Sequence, residues 1–293
     1  MSALDDLVVH PATHRQLTGF LGRPSHALLL VAPPGAGKVT IARALAAVLL
    51  QTPIDTLNNH RYFTHVAPSD RTLSIDEVRN LQRAVQLKTV GHSSHTIRRV
   101  MLLEDAHYLT PEAQNALLKL LEEPPADTVL MLTTTNAASL LPTITSRAQR
   151  IALQTPARET LQAFLAKDSS PGAIDRAYNL GEGWPGIVIA MLKDGDEHPL
   201  IQAVETAKSW LRMSMFERLA SVEELIKQKA DLPLLLAALQ RLAHAALAQA
   251  AAQQQTGALK RWRQILQATA SAQRALQHNA QAKLLFTQLM LEL

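Results

Sequence analysis

The stretch HALLLVAPPGAGKVT, from His26 to Thr40, decides the fold because an apolar run passes through a glycine-rich turn into a helical pattern. That succession is typical of the loop that holds nucleotide phosphates, G-x-x-x-x-G-K-[S/T]. The match is incomplete, since the pattern expects a glycine at position 32 and a hydroxyl at position 39, where the chain has Ala32 and Val39. The centre of a phosphate loop is therefore present, and both of its ends are changed.

The residues of this loop that match the phosphate-loop pattern have definite roles if a nucleotide binds. Gly35 and Gly37 let backbone N–H groups form a nest for phosphate at the positive end of the following helix, and Lys38 reaches the outer phosphates. Val39 cannot hold Mg²⁺ as a hydroxyl would, and Thr40 lies about 100° further round the helix. The sequence therefore predicts weak or absent binding of ATP or ADP with Mg²⁺; alternatively, the glycines only form a turn. The predicted nucleotide contacts in the loop are Pro34, Gly35, Gly37, Lys38, Val39 and Thr40.

Composition narrows the class of protein. The chain has 293 residues, of which 47% are hydrophobic, which is enough to bury cores in two or three domains. Its 29 basic and 25 acidic residues leave a net charge of +4, too mild to establish nucleic-acid binding. Cysteine is absent, which excludes disulfides and a cysteine-ligated zinc site. The opening residues lack a signal pattern and no apolar run approaches ~18 residues, so we expect a cytoplasmic protein without a membrane partner.

Apolar runs alternate with helical patterns through the first half of the chain. A helix is predicted over Lys38–Leu50, a second over Ile75–Leu87 with Ser74 and Glu77 as its capping box, and a third after Thr110. Such alternation predicts an α/β domain with a parallel sheet covered on both faces. Strands are predicted at His26–Ala32, Tyr62–Val66, Val100–Leu103 and Thr128–Leu132.

The texture becomes helical after Thr155, where Ala, Leu and Gln dominate. Asp231 is expected to cap a long helix, which Thr256 ends, and two more amphipathic helices follow. We predict three domains: an α/β domain over residues 1–155, a small helical domain over residues 156–201 and a helical bundle over residues 202–293.

Two carboxylates follow the third apolar strand, at Glu104 and Asp105. In a phosphate-loop site, one carboxylate at a strand tip holds Mg²⁺ through water and the next orients the attacking water. The usual order is Asp then Glu, so each side chain here has the wrong length by one methylene. The pair is interpreted as a degenerate catalytic pair; alternatively, both are solvated carboxylates after a strand.

Four segments carry a resemblance to a known family. Leu109–Pro125 reads LTPEAQNALLKLLEEPP and is similar to the signature of bacterial sliding-clamp loader subunits of DNA polymerase III. Ser74–Leu81 resembles the helix I-D-x-I-R-x-L of that family, and Leu141–Gln149 its L-P-T-I-x-S-R-C-Q segment. Length and the helical tail, including Asn279–Leu284, resemble the delta-prime type within the family.

The resemblance implies an AAA+ module of three parts, a RecA-like domain, a small helical lid and a helical collar that joins five subunits. Arg147 occupies the place of the arginine that reaches the ATP of a neighbouring subunit, and Thr134 lies where the family senses the γ-phosphate. The implied partners are gamma/tau and delta subunits, the beta sliding clamp and primed DNA, at the nucleoid-associated replisome. The family's inserted zinc module is missing between residues 51 and 71, so no zinc is expected, and histidines 60, 65, 92 and 95 are weak metal candidates.

Three functions stay open at this point. The first is a non-motor subunit that acts as a scaffold and donates Arg147 in trans, with weak or no ATPase activity and no polymerase chemistry. It agrees with the changes at Ala32 and Val39, the inverted acidic pair and the lack of a lid arginine after Gly183. The second is an ATP-hydrolysing motor subunit of the gamma/tau type, and the third is an AAA+ protein of another repair or replication pathway. DNA contacts are predicted for Arg79, Arg83, Lys88, Arg98 and Arg99, with a solvated helix face as the alternative.

Overall fold

The computed structural model describes residues 4, 6–86, 97–125, 127–228, 230–277 and 280–293. It divides into two compact units. The first contains Met1–Lys167 together with Gly183–Gly186, and the second contains Asp168–Glu182 and Ile187–Leu293.

The first unit is built on a parallel sheet that has five strands within the described residues. The strand order is β2-β3-β4-β1-β5, which places β1 between β4 and β5. The strands are β1 Ala27–Val31, β2 Phe63–Val66, β3 Arg99–Leu103, β4 Thr128–Thr134 and β5 Gln149–Ala152. The helices of this unit are α1 Pro11–Gly22, α2 Lys38–Leu49, α3 Ile75–Gln86, α4 Pro111–Glu122, α5 Pro142–Thr145 and α6 Arg158–Leu165.

The sheet separates two hydrophobic cores, because successive side chains of a strand point to opposite faces. Along β1, Leu28 and Leu30 belong to the core that contains α1 and α2. Ala27 and Leu29 belong to the core that contains α3 and α4. Both faces of the central strands are buried, which explains why their sequences are apolar without alternation.

The elements predicted from the sequence are present in this unit. All four predicted strands form, and β4 extends to Thr134. The capping box at α3 is present, with the Ser74 N–H donating to Glu77 at 2.6 Å and the Glu77 N–H to Ser74 at 3.4 Å. Thr110 caps α4 by accepting from the Ala113 N–H at 3.2 Å. Leu87, the predicted end of α3, lies outside the described residues.

The second unit is helical. Gln240 of α11 (Leu232–Ala252) donates to Gln273 of α12 (Thr256–Gln277) at 2.9 Å. Trp210 of α9 (Pro199–Arg212) packs edge-on against Phe286 of α13 (Ala282–Glu292). Asp231 caps α11 as predicted. A division of this half into a lid and a collar stays a prediction. The helices are α7 Pro171–Leu180, α8 Pro185–Asp194, α9 Pro199–Arg212, α10 Met215–Lys227, α11 Leu232–Ala252, α12 Thr256–Gln277 and α13 Ala282–Glu292.

Helix α11 is long and apolar enough to cross a membrane by length and composition, with 21 residues and a mean hydropathy of 1.2. One such helix is weak evidence, because the core helix of a helical bundle has the same composition. Here α11 packs against α9 and α12. It also carries Arg241, whose guanidinium donates to the Leu180 carbonyl and lies 3.8 Å from the carboxylate of Glu182. A largely buried, paired arginine and an exposed opposite face fit an amphipathic helix of a helical bundle.

Candidate nucleotide and arginine sites

The phosphate loop leaves the carboxyl end of β1 and has the backbone of a phosphate cradle. Gly35 and Gly37 have φ angles of 74° and 82°, a region that glycine enters without strain. Gly37 is also the N-cap of α2, so the amino end of that helix opens at the loop. In its backbone, the loop is therefore suited to an anion.

The ammonium of Lys38 is held inside this loop. The side chain is 6% exposed, and its Nζ donates to the carbonyl oxygens of Ala32 and Pro33, each at 3.0 Å. Burial lowers the pKa of Lys38, while the negative charges of Asp105 and Glu104 oppose that shift. Because the buried ammonium is bonded to two neutral carbonyls, a negatively charged phosphate would stabilise its charge.

The residues after the lysine do not provide a ligand for Mg²⁺. The side chain of Val39 has no oxygen and packs against the hydrophobic core. Thr40 is exposed on the surface of α2. The loop therefore fits a phosphate group and does not fit a phosphate with its metal ion.

The Glu104 carboxylate and the Asp105 backbone N–H both have partners within the protein. The carboxylate of Glu104 lies 3.0 Å from Nε2 of His65, at the end of the neighbouring strand β2. Asp105 adopts a left-handed backbone with φ 46°, and its N–H donates to the Thr133 hydroxyl at 2.9 Å. His65 thus binds the carboxylate that is at the place of the metal ligand in a phosphate-loop site. No pattern in the sequence predicts this pairing.

Thr134 is fully buried at the end of β4. Its hydroxyl donates to the Asn136 carbonyl at 3.0 Å and accepts from the Asn136 N–H at 3.1 Å. The hydroxyl therefore forms a local turn that caps the strand, which is the alternative role expected of polar residues at this position.

Gly186 lies directly against the phosphate loop, within the first unit. A Cβ at this position would stand 2.5 Å from the Gly35 carbonyl oxygen and 3.3 Å from the Gly37 nitrogen. Only a glycine permits so close an approach of two backbones. Nearby Trp184 packs against the core beside α2. From the sequence, this segment is distinguished only by its lack of an arginine.

His107 is a further group in the pocket that sequence reasoning missed. Its Nε2 lies 3.2 Å from the Thr135 hydroxyl, and its buried Nδ1 has no hydrogen-bond partner in the described part of the chain. Burial lowers the pKa of His107; the negative charge of Asp105 opposes the shift and the Lys38 ammonium adds to it. A neutral imidazole beside a cation is the result.

Two of the histidines considered for metal binding lie in the described part of the chain, and both have other partners. His60 stacks edge-on with Tyr62, and His65 is paired with Glu104. His92 and His95 lie outside the described residues. Among the residues that are described, no group of three potential ligands could hold a metal ion.

Arg147 lies toward the opposite end of the strands from the phosphate loop. It comes just before β5, whose residue Gln149 pairs with Leu28 near the start of β1, whereas the phosphate loop follows the end of β1. Four residues of strand, about 13 Å, separate Leu28 from Ala32 along the sheet. The guanidinium is 37% exposed and donates to Glu122 at 3.1 Å and to the Thr143 carbonyl at 3.2 Å. The loop and Arg147 are therefore not one site.

The basic residues considered for DNA contact have different surroundings. Arg79 pairs with Asp76 at 3.4 Å, and Arg83 donates to Asn80 at 3.2 Å, both on the exposed face of α3. Arg99 was expected at a surface and is instead 4% exposed, donating to the Val85 carbonyl at 2.6 Å. That expectation is wrong because Arg99 opens a central strand. Lys88 lies outside the described residues.

The parallel sheet, the glycine-rich loop after β1 and the helical second unit fit the architecture of an AAA+ protein. Residues 15–157 match the family described as DNA polymerase III, delta subunit. The chain is 32% identical over 211 residues to DNA polymerase III subunit delta' of Pseudomonas aeruginosa, covering 65% of this chain and 63% of that one. It is 33% identical over 190 residues to subunit delta' of Escherichia coli, covering 59% and 56%.

More distant similarity agrees with these matches. The chain is 29% identical over 161 residues to subunit gamma/tau of Mycobacterium tuberculosis, covering 50% of this chain and 27% of that one. In fold it is similar to a solved gamma subunit-related protein of Thermotoga maritima, with a TM-score of 0.57, 18% identity and coverage of 94% and 97%. The chain is therefore similar to subunits of DNA polymerase III, both of the delta' type and, more distantly, of the gamma/tau type. The matches span less than two thirds of the delta' relatives named above, 63% and 56% of their lengths.

Proposed function

We propose that this protein is a non-motor, delta-prime-type component of a clamp loader, which helps to load the beta sliding clamp onto primed DNA during replication. Its partners are gamma/tau and delta subunits in a hetero-pentamer in the cytoplasm. It acts as a scaffold and presents Arg147 to the ATP of an adjacent subunit. It performs no polymerase chemistry.

The position of Arg147 carries the proposal. The residue lies toward the opposite end of the strands from its own phosphate loop, with the guanidinium 37% exposed. A guanidinium is permanently charged and offers a planar set of donors to phosphate oxygens. An arginine that cannot serve its own loop, and that is open to solvent, suits delivery to a nucleotide on another chain.

The state of the chain's own pocket supports the non-motor part of the proposal. Glu104 is paired with His65, the Thr134 hydroxyl is bonded to Asn136, and Val39 offers no metal ligand. Hydrolysis of ATP needs a metal ion and a positioned water. Three of the residues that would serve a nucleotide with its metal ion are thus engaged or lack a ligand atom, so weak or absent nucleotide binding is expected.

Reconstituted clamp loader tests the role of Arg147. In Arg147→Ala, we expect ATP turnover at the adjacent site to fall by ~10³-fold or more, because an arginine supplied in trans contributes ~10³–10⁵ in rate. Single-turnover hydrolysis and loading of labelled clamp onto primed DNA are the measurements. Arg150→Ala is the matched control, since Arg150 is an exposed arginine three residues away. Equal rates for the two variants would refute the proposal.

The second candidate is a motor subunit of the gamma/tau type. It is favoured by the intact loop backbone, with Gly35 and Gly37 at positive φ, and by the retained Lys38. It predicts tight ATP binding by the isolated chain with Mg²⁺, measured by calorimetry, and loss of hydrolysis in Lys38→Ala. If Lys38→Ala leaves the loader unaffected while Arg147→Ala disables it, the motor function is excluded.

A further inference from the structure

Glu122 holds the guanidinium of Arg147 in the isolated chain. We propose that Glu122 is an exchangeable partner: it retains Arg147 until a phosphate group of the adjacent subunit's nucleotide takes its place. The inference rests on the proposed function, and it adds a positioning residue that regulates how readily Arg147 is delivered.

The contacts of Arg147 are suited to exchange. One guanidinium nitrogen donates to a carboxylate oxygen of Glu122 at 3.1 Å, and another donates to the Thr143 carbonyl at 3.2 Å. The carboxylate bond is exposed to water, with 37% of the arginine and 51% of the glutamate side chain accessible. Exposed pairs of this kind are weak and reversible. The carbonyl bond keeps the guanidinium near the surface when the carboxylate leaves.

The place of Glu122 in its helix makes it dependent on a cation. It is the last residue of α4, where the unsatisfied carbonyl groups of a helix carry partial negative charge. Glu123 follows directly and adds a second carboxylate. A negative side chain there is unfavourable unless a positive group offsets it, and Arg147 supplies that group.

A carboxylate and a phosphate compete for the same donors of a guanidinium, because both present paired oxygens to its planar fork. A nucleotide phosphate that approaches Arg147 also repels Glu122. The two anions therefore exclude each other. The strength of the bond to Glu122 sets the concentration of nucleotide at which Arg147 changes partner.

The test compares Glu122→Gln with Glu123→Gln in reconstituted loader. Glutamine keeps the size of the side chain and removes its charge, and Glu123 is exposed and adjacent, so the two variants have the same net charge. We expect Glu122→Gln to lower the ATP concentration for half-maximal hydrolysis by about twofold to fivefold relative to Glu123→Gln, the effect of losing one exposed ion pair. The maximal rate should stay unchanged.

Three outcomes would overturn the inference. The first is the same half-maximal concentration in both variants. The second is a fall in the maximal rate with Glu122→Gln, which would mean that the carboxylate only orients Arg147 for catalysis. In an Arg147→Ala background, Glu122→Gln should have no further effect, and an additive effect would also contradict the exchange. If Arg147→Ala itself leaves the loader unchanged, the proposed function fails, which is a separate result.

Discussion

Single side chains decide what the phosphate loop of this protein can bind. Gly35, Gly37 and Lys38 preserve the phosphate cradle. His65 binds the Glu104 carboxylate, and Val39 has no side-chain oxygen that could bind a metal ion. Each change is small, and each acts through an ordinary interaction, a hydrogen bond or a hydrophobic contact. Together they leave a pocket whose polar groups are mostly satisfied by the protein itself.

His107 provides a pH test of this pocket. Its pKa is lowered by burial, so in the pH range just below 6.5 the unfolded chain binds a proton that the folded chain does not. Stability contributed by the neutral imidazole is therefore lost as the pH falls through that range. We expect the free energy of unfolding of the wild type to decrease from pH 7.5 to pH 5.5 more than that of His107→Asn, measured by urea unfolding.

An exposed histidine serves as the control for that experiment. His26 is exposed at the start of β1, so His26→Asn makes the same chemical change outside the pocket. Its pH dependence should follow the wild type. Parallel curves for the wild type and His107→Asn would show that the imidazole titrates alike in both states.

At the scale of elements, the sequence predicted the helices and strands with strong local signals. The capping residues Ser74, Thr110 and Asp231 are all in place, because a side-chain oxygen three residues before a free N–H is a local arrangement. Strand β5 was not predicted. It has only four residues with the sequence QRIA, three of them exposed, and its pairing with β1 comes from the fold rather than from a pattern.

Arg241 connects two elements that are distant in the sequence, α11 and the end of α7. Its side chain is 15% exposed and bonds to the Leu180 carbonyl and to Glu182, and burial lowers its pKa. In Arg241→Met, a partly buried carbonyl loses its donor, which costs roughly 1–3 kcal/mol. We expect a loss of that size in the free energy of unfolding, measured by urea denaturation followed by circular dichroism.

A surface arginine of the same unit distinguishes this contact from a general effect of charge. Arg263→Met removes an exposed guanidinium from α12, and exposed substitutions usually change stability by less than about 0.5 kcal/mol. If both variants lose the same stability, the bonds of Arg241 do not tie α7 to α11.

At the scale of the whole molecule, the sequence predicted the class of fold, but not how side chains from distant segments pair. His65 and Glu104 are 39 residues apart, and Glu122 and Arg147 are 25 apart. No local periodicity links such positions, because the strand order and register bring them together. Arg99 illustrates the same point, since its burial follows from the central place of β3.

The opposite placement of the phosphate loop and Arg147 gives the subunit a polarity. In a ring assembled by head-to-tail contacts, the loop end of each sheet would receive an arginine and the opposite end of the strands would deliver one. A member whose loop end holds no hydrolysable nucleotide could still deliver to its neighbour, so it would work as a terminus of the series rather than as an interior link. Its place in the assembly would then be set by which end of its strands remains competent, and the direction in which ATP sites communicate would run away from it.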